Sequence, residues 1–488
     1  MSFKPSKYQK AIFDFVRDGS GSAIIEAVAG SGKTTTIVKS LDLIPPDRSV
    51  LFLAFNKGIA DELKSRVPRH VRAATFHSQG FAAWRKYVGK NLVVDPKKTQ
   101  KLIREMMDPR EEELYGPFVS RLVGLAKSVG MSYLMPDEPR EWSELINYFN
   151  VYLDSEDAKE EEGIEMAQAV LEESIEKAPE VVDYDDMLFM PLLKEVTFWP
   201  HDFVFVDEAQ DTNAVQAALL KRMLRPQGRL IAVGDPHQAI YGFRGADSNA
   251  MDNIADDFLC IRLPLSVSYR CPQAIVRAAR EYVPHIEAYP GAPMGSVRDL
   301  GGQYKPDIFT KEDAILCRKN APLVAMAYHL IGHGMPCKIL GREIGKGLAR
   351  LIGRMQAINL DQLLQKLLHY ENRELKRCAE RDQPEKAQEI TDKVNSIMVL
   401  IENLPEDKQT LEGLLSEVER IFSDNGEGTL VLSTIHKAKG LEFPRVFILN
   451  RDLMPSKWAR TPWQQRQEIN LIYVAYTRAK EELNFITR

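Results

Sequence analysis

The sequence predicts an α/β protein built on parallel sheets, with mainly helical segments set between the sheet-forming parts. Two observations carry this. Short, near-continuous apolar runs recur: Ala23-Ile24-Ile25, Val50-Leu51-Phe52-Leu53-Ala54-Phe55, Phe203-Val204-Phe205-Val206 and Leu230-Ile231-Ala232-Val233. Each opens into a polar or glycine-rich turn, and a strand without polar positions is one covered on both faces of a parallel sheet. The first run also leads through Ala27-Val28-Ala29-Gly30-Ser31-Gly32-Lys33-Thr34 into Thr35-Thr36-Ile37-Val38, which reads as strand, tight loop, then helix.

Composition bounds what these elements build. A chain of 488 residues has room for two to four domains. A net charge of −5 gives no global attraction to polyanions, so any such contact must come from local surfaces. The five cysteines, Cys260, Cys271, Cys317, Cys337 and Cys378, are scattered and offer neither a Cys-x-x-Cys pair nor a disulfide framework. Met1-Ser2-Phe3-Lys4-Pro5 lacks a signal core, and no apolar stretch reaches ~18 residues. The expectation is a reducing, soluble compartment and no membrane partner.

The glycine loop lets backbone N–H groups close around phosphate oxygens at a helix N-terminus. Lys33 would reach β- and γ-phosphates and the Thr34 hydroxyl would hold Mg2+. The strict pattern has glycine where Ala27 stands. Upstream, Gln9 lies on a predicted helix from Lys7, where its amide could pair with adenine or simply face solvent. Downstream, Phe55, Asn56, Thr75 and His77 fall at strand C-terminal ends, which line the binding crevice of a doubly wound sheet. Residues 86–181 read as a helical insertion whose acidic stretch is a solvated face. Phe203 to Val206 then empties into Asp207 and Glu208: Asp207 is placed to hold Mg2+, Glu208 to orient and deprotonate water. After Val233, Gln238 can bond a γ-phosphate or its attacking water. Tyr241 and Phe243 follow within five residues and suit base stacking or core packing alike.

These residues resemble a family. Gly-Ser-Gly-Lys-Thr, Val206-Asp207-Glu208-Ala209-Gln210-Asp211 and Val233-Gly234-Asp235-Pro236-His237-Gln238 through Asp247 are similar to successive motifs of superfamily 1 DNA helicases of the UvrD/Rep/PcrA type. Leu265-Ser266-Val267-Ser268-Tyr269-Arg270, Thr434 to Phe443 and Tyr473-Val474-Ala475-Tyr476-Thr477-Arg478-Ala479 continue the order. The resemblance implies two tandem RecA-like P-loop NTPase domains, with ATP and Mg2+ between them and single-stranded DNA across the top. By residue, it implies nucleotide binding by Gln9, Ala29, Gly30, Ser31, Gly32, Lys33, Thr34, Thr35, Tyr269, Arg270, Glu442 and Arg478. Catalysis would rest on Lys33, Asp207, Glu208, Gln238, Arg270 and Arg478, and the metal on Thr34 and Asp207. The DNA path would hold Phe55, Asn56, His77, Tyr241, Phe243, Arg244 and His436. Phe243 departs from the Trp usual in close relatives, which keeps a stacking face but a smaller one.

The resemblance divides the chain into 1–85 with 182–260, the insertion 86–181, then 261–350 with 425–488, and a reduced helical insert at 351–424. With ten residues after Arg478, the nuclease domain that some relatives carry is not expected. The leading expectation is an ATP-dependent single-stranded DNA translocase and helicase, 3′-to-5′ by family, acting on single-stranded and partly duplex DNA in the cytoplasm or nucleoid. The alternative is a DNA-stimulated ATPase subunit that senses or remodels DNA with a protein partner held through 351–424, a segment that reads equally as a solvated structural hairpin. An RNA motor stays open too, because stacking and phosphate contact do not reveal a 2′-hydroxyl preference.

Overall fold

Side chains that alternate across a strand decide the architecture. In the computed structural model, Ile24, Leu51, Leu53, Val204, Val206, Leu230 and Ala232 pack into one core, while Ala23, Ile25, Val50, Phe52, Phe203, Phe205, Ile231 and Val233 pack into another. Both faces of the first sheet are therefore covered, which is why its central strands carry no polar alternation. The structure describes residues 3–64, 66–153, 157–242, 249–381, 383–423 and 428–487. It resolves into two units, residues 1–28 with 32–266 and residues 29–31 with 267–488.

The first unit holds a six-stranded sheet in the order Val71–Thr75, Val50–Ala54, His201–Val206, Leu224–Gly234, Ala23–Ala27, Ile261–Leu265. Every pairing is parallel. The last strand corrects the expected boundary at residue 260. Ile261 to Leu265 runs beside Ala23–Ala27, its start fixed by the Ile261 amide donating to the Ser22 carbonyl and by Arg262 pairing with Glu26 and Asp252. It belongs to the first sheet.

Within 86–181, helices Lys98–Met106, Pro109–Val129, Pro139–Phe149 and Glu160–Lys177 share a core with one face of that sheet. At their junction Lys98 and Lys127 are buried with Asp183 and Asp186. The acids come from the turn that ends in helix Asp186–Leu193.

His201, at the start of its strand, is 4% exposed, and neither ring nitrogen has a hydrogen-bond partner. Burial, with Arg72 and Arg225 nearby, pushes its pKa down to about 4. The folded state therefore binds a proton less readily than the unfolded chain, whose histidine titrates near 6.5. Stability from this site is complete above pH 6.5 and drains away as pH falls toward 4. Between those values the melting temperature of the wild type should fall more steeply than that of His201→Leu. Parallel curves would remove His201 from the acid response.

The second unit holds a seven-stranded, wholly parallel sheet. Its order is Ser296–Gly301, Ala479–Ile486, Phe443–Leu449, Ala314–Cys317, Leu430–Thr434, Cys337–Leu340, Phe422–Ser423. Helix Leu360–Glu380 is followed by helix Pro384–Glu402, which Pro384 opens, and then by helix Leu411–Ile421. Their apolar faces join the sheet's own core through Leu363, Val394, Ile397, Leu414 and Val418 beside Ile315 and Cys317. Asp392 also caps the helix Asn320–Gly332, its carboxylate accepting from the Asn320 and Ala321 amides at 2.9 and 3.0 Å. The 351–424 segment is thus built into the second unit, and its end re-enters the sheet at Phe422–Ser423.

Candidate nucleotide and nucleic-acid site

The phosphate loop joins strand Ala23–Ala27 to helix Lys33–Leu41. Gly30 and Gly32 take φ of 70° and 77°, a left-handed backbone that side chains disfavour. Ala27 has no such requirement. Its methyl is buried at the strand end, so alanine serves where the strict pattern has glycine. No side chain caps the helix N-terminus, and the buried Ser31 Oγ has no hydrogen-bond partner. Uncommitted donors at a helix start suit a phosphate anion. Gln9 is 2% exposed and engaged locally: Oε1 accepts from the Ser6 amide and Nε2 donates to Thr36 Oγ1, both at 3.0 Å. Thr34 and Thr35 occupy the first turn, half-buried.

The carboxylate strand delivers its acids beside this helix. Lys33 Nζ lies 2.8 Å from Glu208 Oε2. Burial alone would push the lysine pKa down; Glu208, Asp207 and Asp235 together outweigh it and hold it above its ordinary value. Asp207 is 5% exposed, and burial reinforced by the Glu208 charge pushes its pKa up to about 6. The Thr34 hydroxyl hydrogen-bonds the Asp207 carboxylate. A buried carboxylate crowded by a second one, next to a hydroxyl and an anion-binding loop, fits a divalent cation bound through one carboxylate and substrate phosphates. Thr34 and Asp207 would hold it, and it would supply charge neutralisation on the phosphate oxygens.

A hydrogen-bonded line continues from Glu208. Gln210 Nε2 donates to Glu208 Oε2 at 2.6 Å, the Asp235 amide donates to Gln210 Oε1 at 2.9 Å, and Gln238 Nε2 donates to Asp235 Oδ2 at 2.6 Å. The structure thus brings Lys33, Thr34, Asp207, Glu208 and Gln238 to one edge of the first sheet. It adds Gln210 and Asp235, which the sequence reading passed over. Asp235 sits at the end of an apolar run, the same signal that singled out Asp207.

Along the same C-terminal edge, Phe55 is 48% exposed and Asn56 caps the helix Lys57–Lys64 by accepting from the Ile59 amide. His77 is half-buried on the first turn of helix Phe76–Val88, and burial lowers its pKa. Its ring meets Tyr184 edge-on at 6.4 Å. Tyr184 is 55% exposed between the anchored Asp183 and Asp186, an aromatic the sequence reading did not select. Tyr241 is half-buried, whereas Phe243 and Arg244 lie outside the described residues.

In the second unit Arg270 forms an ion pair with Glu442. Arg478 is 1% exposed and donates to the carbonyls of Val474 and Leu441. Burial, with Arg270 close by, lowers its pKa to about 10. Tyr269 is 40% exposed, with its ring 5.1 Å from that of Tyr289. His436 is half-buried on the short helix Ile435–Ala438. The five cysteines form no disulfide, and the described residues hold no cluster of metal-ligating side chains and no helix long and apolar enough to cross a membrane.

A family model of the UvrD/REP helicase N-terminal domain matches residues 8–259, and one of the UvrD-like helicase C-terminal domain matches residues 354–488. F-box DNA helicase 1 of Gallus gallus is 27% identical over 94% of this chain, which spans 46% of that protein's length. A probable DNA helicase II homolog of Mycoplasma pneumoniae is 24% identical, with 99% of this chain and 84% of that one aligned. ATP-dependent DNA helicase PcrA of Staphylococcus epidermidis is 23% identical, with 97% and 82% aligned.

Proposed function

Because the chain belongs to the UvrD/REP helicase family, we propose that it is an ATP-dependent single-stranded DNA translocase and helicase that moves 3′-to-5′. The observation that carries the reading is the continuous line from Lys33 through Glu208, Gln210 and Asp235 to Gln238, on the sheet edge that also presents Phe55, His77 and Tyr184. In this reading the loop from Ala29 to Thr35 binds ATP with Mg2+, and Gln9 and Tyr269 contact the base. Lys33 holds the phosphates and Glu208 takes a proton from the attacking water. Gln238 senses the γ-phosphate, Arg270 and Arg478 add fixed positive charge to it, and Glu442 lies by the ribose. Phe55, Asn56, His77, Tyr184, Tyr241 and His436 contact the strand, largely by stacking, worth ~1–3 kcal/mol per base.

The four-part division is proposed with the first core extended to Ser266, leaving 86–181 and 351–424 as its accessory segments. The test is strand separation on duplexes carrying a 3′ or a 5′ tail, with Lys33→Ala as control. Unwinding of the 3′-tailed duplex alone is expected. Hydrolysis without unwinding of either would favour the partner-dependent ATPase, and unwinding of the 5′-tailed duplex alone would reverse the polarity.

A further inference from the structure

We propose that Gln210 is the positioning residue of the water-activating carboxylate, holding Glu208 in its working orientation while Lys33 engages the nucleotide. The inference rests on the hydrolytic reading above. Lys33 Nζ and Gln210 Nε2 both donate to Glu208 Oε2, at 2.8 and 2.6 Å. Phosphate oxygens that recruit the ammonium loosen its hold on that oxygen, and Gln210 is a neutral donor that stays on it. The distinction matters chemically. A cation on Oε2 lowers the basicity of the carboxylate, whereas an amide N–H orients it with less loss.

The rest of the local structure fits a fixed brace. Glu208 sits at φ 52°, ψ 44°, a left-handed conformation that non-glycine residues keep only where their surroundings impose it. Gln210 is 2% exposed. The Asp235 amide at 2.9 Å can only donate, so it fixes the Gln210 oxygen toward itself and the nitrogen toward Glu208. A weaker contact of the same nitrogen reaches Asp211 Oδ2 at 3.5 Å. Gly234 makes the approach possible, because a Cβ there would lie 2.5 Å from Gln210 Oε1 and 3.0 Å from the Gln210 amide nitrogen. Gln210 therefore ties Glu208 to the end of strand Leu224–Gly234, one residue before Asp235, which in turn holds Gln238.

Two variants test this. Gln210→Met keeps the length and removes both hydrogen bonds. Gln210→Glu keeps an acceptor for the Asp235 amide but sets a second carboxylate against Glu208. In both, kcat for ATP hydrolysis should fall roughly 10- to 100-fold, the scale of a misplaced catalytic group. Equilibrium affinity for a fluorescent ADP should stay within about twofold, since the brace does not touch the ground-state ligand. In a Glu208→Gln background, Gln210→Met should cost nothing further. On nucleotide-free protein, hydrogen exchange at the Asp235 amide should accelerate in Gln210→Met and hold in Gln210→Glu. Wild-type kcat in both variants, or ADP affinity lost in parallel with kcat, would overturn the proposal. A wild type that binds nucleotide without hydrolysing it would instead refute the hydrolytic reading, and the exchange result would still decide whether Gln210 fixes the strand end.

Discussion

Lys33→Ala is expected to lower ATP hydrolysis by roughly 100-fold or more, the loss typical of removing one preorganised electrostatic donor. The expectation follows from where the ammonium sits. It is the cation facing Asp207, Glu208 and Asp235, and those carboxylates hold its pKa up against burial. Losing it removes the charge that would meet the β- and γ-phosphates and leaves three acids repelling any anion. Lys33→Arg should not rescue, because a planar fork does not replace a compact ammonium on a short reach to Glu208. Steady-state hydrolysis with an ADP-binding titration checks this. Wild-type turnover in Lys33→Ala would place the phosphates elsewhere.

Lys127→Met is the largest expected loss of stability. Lys127 is 1% exposed, with Nζ at 2.8 Å from Asp183 Oδ2, 2.7 Å from Asp186 Oδ1 and 2.9 Å from Ser174 Oγ. Lys98 covers only the other Asp186 oxygen, at 2.6 Å. Removing Lys127 strands a buried carboxylate, which costs about 3–5 kcal/mol where one partner of a buried pair is deleted. For a unit of this size that corresponds to a melting shift on the order of 10 °C. The exposed pair Lys90–Glu180 provides the contrast, and Lys90→Ala should cost less than about 1 kcal/mol. Equal shifts for the two variants would show that the buried cluster is not the joint of the helical insertion. Because Tyr184 lies between Asp183 and Asp186, Lys127→Met should also weaken binding of single strands before the protein unfolds.

Much of this was legible from residues alone, for identifiable reasons. A strand covered on both faces writes itself as an unbroken apolar run, so Val50–Ala54 and His201–Val206 were readable to within a residue or two. Acids at the end of such a run announce a crevice, and Asp207 was found that way. Ile261–Leu265 was placed with the second domain because it is an edge strand, largely exposed, whose partner lies more than 200 residues back in the chain. Gln210 escaped because a glutamine two residues after Glu208 reads as a surface polar residue; its burial and the close approach at Gly234 are set by the fold. Tyr184 escaped because its exposure depends on Asp183 and Asp186 being anchored by lysines 56 or more residues earlier. The 351–424 segment looked separable because its helices are charged, yet their buried stripes belong to the second sheet's core.

The Lys33 to Gln238 line is expected to hydrolyse ATP in response to a nucleic-acid strand on the same sheet edge. Steady-state ATP hydrolysis by the wild-type chain, with and without single-stranded DNA and with RNA of the same sequence as a competitor, tests it most directly. Slow turnover alone, strong stimulation by DNA and loss of that stimulation in Lys33→Ala are expected. A rate that does not respond to any added strand would contradict it.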